Sequence, residues 1–395
     1  MKVLIINSVC GVGSTGRIAA EQAERYIKDG HECVIAYGRG KAPENLKGIS
    51  YRIGTDTDVR INAMKARLFD SEGFNAKRET KRFIKWARNY DPDIVCLHNL
   101  HGYYINIELL FDFLKSRPQT KVIWTLHDCW TFTGHCAYFS YVKCGRWENG
   151  CSDCPQKNGY PASVLRDASA DNYLRKKKCF SGVADMTLIT PSMWLSDLVK
   201  RSFLGQYTVR VENNRIDAEA FRPTESDFRK RHSLEDKKLV LGVAYVWEER
   251  KGLDVFLRLG EMLPEEYRIV LVGVDKKTAA KLPDNIVALP RTNGQRELAA
   301  IYSTADVFVN PTKEENFPTV NIEALACGVP VVTFDTGGSA EIIDETCGCS
   351  VETGDTDELA FQIQRVCGER PYTREACLER AKRFAKKQNL QQLSR

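Results

Sequence analysis

The sequence predicts two successive doubly wound α/β domains, each a largely parallel sheet covered by helices on both faces. Three observations carry that expectation. Short, near-continuous apolar runs rich in β-branched residues alternate with amphipathic stretches from one end of the chain to the other. Such runs suit strands buried on both faces, whereas a strand with one wet face alternates apolar and polar residues. The alternation restarts near Leu239, after a polar stretch containing Pro223 and the charged run Glu235-Asp236-Lys237-Lys238. Finally, 395 residues exceed one ordinary domain and fit two of about 150–200 residues each.

Taken in order, the first-domain strands read KVLIIN from Lys2, CVIAY from Cys33, DIVCLHN from Asp93, KVIWTL from Lys121 and MTLIT from Met186. The second-domain strands read LVLGVA from Leu239, RIVLVG from Arg268, NIVAL from Asn285, DVFVNP from Asp306 and PVVTF from Pro330. Alternating strand and helix signals give Rossmann-like domains. The expected division is residues 1–200, 201–372 and a basic helix-like tail, 373–395, that crosses back to the first domain. A hydrophobic content of 43% and a charged content of 28% exclude a disordered or fibrous chain. A net charge of +5 over this length gives no reason to expect nucleic acid as a partner. Met1-Lys2 runs straight into VLIIN without a cleavage signal, and no apolar run nears the ~18–20 residues of a membrane span, so a cytoplasmic location is expected. Fourteen cysteines in such a compartment read as thiols or metal ligands rather than a disulfide framework.

The sharpest chemical signal is the run DVFVNPTKEENFPTVNIEALACGVPVVTF. A buried strand ends at Asn310, a polar loop follows, and Pro318 stands where a helix begins. That helix is almost wholly apolar apart from Glu323, and a carboxylate there needs hydrogen-bond partners, for which two ribose hydroxyls are suitable. Glu315 lies in the loop at the carboxyl end of the strand, where this architecture binds ligands. Free amides at Asn316 and Phe317, with the helix dipole, favour a phosphate or sugar oxygen. The alternative makes Glu315 a solvated acid and Glu323 the structural partner of an arginine.

The frame E-x7-E from Glu315 to Glu323, followed by GVPVV and TGGSAEII, resembles the donor site of family 4 glycosyltransferases. The segments LHNLHGYYIN, HDCWTFTGHCAYF and WEERKG are similar to those of bacterial exopolysaccharide enzymes of the colanic-acid kind. The resemblance implies a GT-B fold, two Rossmann-like domains facing across a cleft. It also implies a nucleoside-diphosphate sugar donor, UDP- or GDP-linked, and retention of anomeric configuration without a catalytic metal. Carried over by position, Glu323 binds the ribose, Glu315 lies near the donor sugar and α-phosphate, and the Asn316 and Phe317 amides meet sugar hydroxyls. Arg250 and Lys251 neutralise the departing diphosphate. The family's arginine five residues before the lysine is Val246 here, and its NGID reads NRID at Asn214–Asp217. Arg250 is the candidate substitute. The implied acceptor is an oligosaccharide or lipid-linked precursor.

Gly11-Val12-Gly13-Ser14-Thr15-Gly16 follows the first strand as a literal G-x-G-x-x-G. It supports a rival reading as an oxidoreductase; the second strand ends without the acid that the fingerprint needs for an adenosine ribose, an NADP enzyme could use Arg39 instead, and nothing later suggests a hydride-transfer site. In the resembled family, Gly11 and Gly13 let the backbone approach the donor. A third reading is a sugar-nucleotide-binding module without turnover. His127 and His98 both sit at strand ends, and the resemblance implies that His127 contacts donor sugar or acceptor.

Two features remain outside that frame. Cys136, Cys144, Cys151 and Cys154 include a C-x-x-C pair, and either four ligands to a structural zinc or unligated thiols fit the spacing. Residues 60–88 carry nine basic against three acidic side chains, with Phe83, Ile84 and Ala87 on one helical face. A basic amphipathic helix of that kind suits peripheral contact with anionic lipid, or is simply a solvated face.

Overall fold

The computed structural model describes residues 1–386. It divides into two compact units, Met1–Glu212 and Asn213–Arg395. The first holds seven strands: β1 (Lys2–Val9), β2 (Glu32–Arg39), β3 (Ser50–Arg52), β4 (Ile94–Leu97), β5 (Lys121–Thr125), β6 (Met186–Thr190) and β7 (Thr208–Val211). They pair in parallel in the order β3-β2-β1-β4-β5-β6-β7. The second holds β8 (Lys238–Val243), β9 (Tyr267–Val272), β10 (Ile286–Leu289), β11 (Val307–Asn310), β12 (Val331–Phe334) and β13 (Gly348–Val351). Their order is β10-β9-β8-β11-β12-β13, again parallel.

Each sheet is buried on both faces, as the apolar strands demand. Along β1, Val3 and Ile5 join Ala19 and Ala23 of the Gly13–Lys28 helix, while Leu4 and Ile6 join the core containing Phe111 and Trp124. Along β8, Leu239 and Leu241 face one core and Val240 the other. Each Val, Leu, Ile or Phe side chain so removed from water contributes about 1.5–3 kcal/mol. Strand order reverses between β1 and β4 and between β8 and β11. Those reversals open a crevice at the carboxyl ends of the strands, which is where doubly wound sheets bind ligands.

The structure corrects three expectations. The first unit runs to Glu212, not about 200, because β7 adds to its sheet edge beside β6. The tail packs on its own unit over its described residues: the Arg374–Lys382 helix lies on the Thr319–Ala326 helix, with Cys377 and Ala381 buried. Residues 387–395 of that expected helix lie outside the described residues. The apolar face of the Lys77–Tyr90 helix is not offered to lipid, since Phe83 and Ala87 are buried in the first unit's core and Ile84 packs against it.

Candidate active site

In the second unit the site is built at the carboxyl ends of β8 and β11. The loop after β8 carries Glu248 to Gly252, and it docks on the loop after β11 through the backbone. Lys313 N–H and the Thr312 hydroxyl both donate to the Arg250 carbonyl, at 2.9 and 3.2 Å. Gly252 permits this closeness, having φ +78° and a position whose Cβ would stand 2.4 Å from the Pro311 carbonyl oxygen. Lys313, itself buried, donates to Glu249 and Asp254 and so ties the second loop to the first.

Between these loops Lys251 Nζ lies 2.5 Å from Glu315 Oε2. Both side chains keep an open edge, 24% and 17% exposed. Burial pushes the Glu315 carboxyl up, but the Lys251 charge and hydrogen bond, Arg250 and the Asn316 amide more than offset it, leaving the group held below its usual range. Gly337, in the TGG run, supports the loop from below: with φ +57°, its Cβ would lie 1.9 Å from the Glu315 carbonyl oxygen. The neighbouring Gly338 N–H donates to the Asn316 carbonyl at 2.7 Å.

The remaining second-unit candidates divide. The Asn316 amide is not free, because it donates to Glu315 Oε1 at 3.1 Å. Phe317 turns its ring into the core against Phe384, and its carbonyl accepts from Asn214 at 3.0 Å. Its contribution to a ligand is thereby confined to its backbone. Arg250 donates to the Glu314 carbonyl and pairs with Glu248, so its guanidinium is partly engaged within the loops. Glu323 lies on the Thr319–Ala326 helix and accepts from the Tyr302 hydroxyl at 3.2 Å.

In the first unit, Gly11 forms the turn after β1 and Gly13 opens the helix, both at φ +67°. His98 and His127 follow β4 and β5, and their rings stack with Nδ1 of His98 3.0 Å from Nε2 of His127. His98 Nε2–H donates to Gln22 Oε1 at 2.9 Å, so its Nδ1 is the acceptor and His127 donates from Nε2. Burial holds both rings neutral, His98 far below its ordinary pKa and His127 down to about 4. Beside them is a chain that the sequence reading missed. The Tyr160 hydroxyl meets His101 Nδ1 at 3.0 Å, and His101 Nε2 meets Asp128 at 2.8 Å. Burial raises the Asp128 carboxyl, but His101 and the Trp130 amide outweigh it and keep it ionised.

Comparison with known proteins decides the class. Residues 237–369 match the family described as glycosyl transferases group 1. A protein of Escherichia coli K12, provisionally named as the colanic acid biosynthesis glycosyl transferase WcaC, is 26% identical over 371 residues, covering 91% of this chain and 89% of its own. Residues 237–369 are a group 1 glycosyltransferase domain, and the chain is a glycosyltransferase. Among solved structures, sucrose-phosphate synthase from Thermosynechococcus elongatus superposes with a TM-score of 0.70 at 17% identity, covering 97% of this chain and 94% of that one. Anabaena Alr3699/HepE in complex with UDP gives 0.67 at 13% identity, covering 98% and 96%. These likenesses establish the GT-B type of fold.

The glycosyltransferase also carries the cluster of Cys136, Cys144, Cys151 and Cys154. Cys136 and Cys154 are hydrogen-bonded to each other, and that bond is the main reason the Cys154 thiol is lowered to about 7. Cys151 Sγ instead accepts from the Gly134 amide at 3.1 Å. Among the described residues no three His, Cys, Asp or Glu side chains are placed to hold a metal ion. Of the two readings of this spacing, the described side chains are arranged as unligated thiols. Lys313, Gly337 and Tyr302 were legible only as loop, turn and core residues, while His101 lay unremarked inside LHNLHGYY. The signal for His101 was its place in the loop that leaves β4, four residues beyond Leu97.

Proposed function

We propose that this glycosyltransferase moves a sugar from a nucleoside-diphosphate sugar, UDP- or GDP-linked, to a polysaccharide precursor carried on a lipid, with retention of configuration. The observation that carries the reading is the Lys251–Glu315 pair at the carboxyl ends of β8 and β11, held between two glycine-permitted contacts. A fixed cation there is what a departing diphosphate requires, because negative charge grows on the leaving oxygen as the glycosidic bond lengthens. Lys251, with Arg250 beside it, fills that role, and Glu315 orients the pair and the donor sugar. Glu323, already held by Tyr302, has a carboxylate suited to a ribose. His127, neutral and fixed by His98, is suited to hydrogen-bond an acceptor or sugar hydroxyl without becoming charged. The backbones of Gly11 and Gly13 are assigned to the same unit's part in binding.

The WcaC relative, whose name speaks of colanic acid biosynthesis, supports the polysaccharide acceptor, and the UDP bound to HepE supports the donor class. No step in this reading calls for a metal ion. An oxidoreductase is not favoured, because the family model and the WcaC relative are glycosyltransferases. The test is to incubate the protein with a panel of UDP- and GDP-sugars and a membrane-lipid extract as acceptor source. Release of one nucleoside diphosphate with a product of the donor's own anomeric configuration, read by proton NMR, is expected. Inverted product overturns retention, and release from none of the donors overturns the reading.

A further inference from the structure

The first unit contains an open cavity of about 540 Å³ that no comparison assigns. Its long wall is one face of the Asp56–Phe69 helix, contributing Arg60, Met64 and Arg67 at helical spacing, while Asn62 and Ala66 on the other face are buried. The facing wall is Arg39 at the carboxyl end of β2, with Tyr103 and Val164 from two loops. We propose that this cavity binds the phosphate of an amphiphilic ligand, a phosphate or diphosphate bearing a hydrocarbon chain. The inference rests on the proposed lipid-linked acceptor and gives its phosphate a place.

Charge is the first support. Among the described residues no carboxylate forms an ion pair with Arg39, Arg60 or Arg67, although the neighbouring Arg52 is paired with Asp56. Three guanidinium groups around one concavity repel each other unless an anion sits among them, and their planar forks match phosphate oxygens. The groups are also positioned. The Arg67 charge faces the Tyr103 hydroxyl. Arg39 lies across Gly102, whose added Cβ would stand 3.4 Å from Arg39 Cδ. Tyr103 itself is a non-glycine residue at φ +68°, held there by Glu72 Oε1, which accepts from the Gly102 and Tyr103 amides at 2.6 and 3.0 Å. Glu72 is buried beneath the loop and does not line the cavity.

The second support is apolar surface where a chain would leave the phosphate. Met64 and Val164 line the cavity while 56% and 64% exposed, and Leu165 beside Val164 is 69% exposed. Ile61 and Phe69 extend the same exposed apolar character along the helix. Cations lining a cavity with apolar side chains at its edge fit an amphiphile better than a free anion. Volume agrees, since about 300–1,000 Å³ is usual for small-ligand sites.

Isothermal titration with decyl diphosphate, kept below its micellar concentration, tests the site against inorganic pyrophosphate and decanol. Decyl diphosphate should bind the wild-type protein at least about tenfold more tightly than pyrophosphate, and R60Q/R67Q should weaken it by about tenfold or more. M64S/V164S should narrow the gap between the two ligands while leaving pyrophosphate affinity in place. Both variants change exposed side chains, and thermal melts confirm folding. Equal affinity for decyl diphosphate and pyrophosphate would make this a free-anion site and overturn the proposal, as would unchanged binding in R60Q/R67Q or no binding at all. UDP and GDP binding by the wild-type protein is measured in parallel. Failure there with decyl diphosphate still bound removes the proposed function and leaves the cavity's assignment standing.

Discussion

Replacing Lys251 by methionine separates a catalytic cation from a merely structural ion pair. At the observed separation of 2.5 Å, two unit charges attract by about 7 kcal/mol at an effective dielectric constant of ~20. Most of that is offset by desolvation of two partly buried groups, so a net coupling of about 2 kcal/mol is expected. Lys251→Met leaves Glu315 with Arg250 and the Asn316 amide as its remaining stabilisers, and the protein should lose about 1–3 kcal/mol. Glu315→Gln should cost a similar amount, and the double variant should cost less than the sum of the two.

Activity should behave differently. A cation that neutralises the departing diphosphate acts in the transition state, and its loss should lower kcat about 10²–10³-fold. The double variant, though recovered in stability, should stay as slow as Lys251→Met. Urea denaturation and nucleoside-diphosphate release on the four proteins give the two cycles. If turnover recovers together with stability in the double variant, or if Lys251→Met turns over near the wild-type rate, Lys251 is a structural partner of Glu315 and the assignment fails. The pair also sets an acid limit. Glu315 is held below its ordinary pKa, so its stabilisation is present above the unfolded value and is lost as pH falls through the lower folded one. In Lys251→Met the folded value should rise, so that this loss becomes smaller and is complete at a higher pH.

Three further outcomes follow from the same geometry. Glu323→Ala should weaken UDP or GDP binding by about tenfold or more with a smaller effect on kcat, and Tyr302→Phe, losing one hydrogen bond to that carboxylate, should weaken it by a few-fold; calorimetric titration reads both. Burial keeps His98 and His127 from protonating in the folded state, so the unfolded chain binds more protons as pH falls from about 6.5 to about 4. Unfolding free energies from urea titration should therefore drop across that window, by up to about 1.4 kcal/mol per pH unit for each histidine, and less steeply in His127→Gln. Turnover should be unchanged by EDTA, because Lys251 and Arg250 supply the positive charge; a large loss restored by a divalent ion would overturn that assignment.

The legible part of the fold was its buried centre. All ten expected strands are present, since each is an apolar run that had to be covered on both faces. The three missed, β3, β7 and β13, are edge or near-edge pieces of three or four residues, Ser-Tyr-Arg, Thr-Val-Arg-Val and Gly-Cys-Ser-Val, with polar or half-buried side chains. Their pairing comes from a neighbouring strand rather than from their own pattern. In the site, Glu315 and Lys251 were visible because charged residues interrupt apolar segments at strand ends. Their contact was not visible, because 64 residues separate them and two loops had to fold before it formed. The free Asn316 amide was misjudged for the same reason: a loop's own carboxylate can satisfy the donor that a ligand would otherwise take.

The placement of cations shows most directly what a periodicity argument leaves open. The Lys77–Tyr90 helix is basic and amphipathic, which fits a helix on anionic lipid as well as a helix on its own core. The structure decides for the core, with Phe83 and Ala87 buried and Trp86 stacked between Tyr51 and Tyr90. Lys77, Arg78, Lys81 and Arg82 are then left with charge but no apolar anchor from that helix. Charge alone attracts a surface within a Debye length and is screened by salt, whereas insertion needs apolar area. On the preceding Asp56–Phe69 helix the apolar residues left outside are Ile61, Met64 and Phe69, next to Arg60 and Arg67. One short stretch of sequence thus divides its basic residues between a helix whose apolar side is spent on folding and one whose apolar side remains available. Only the second combines the charge and the exposed hydrocarbon that an amphiphilic phosphate requires.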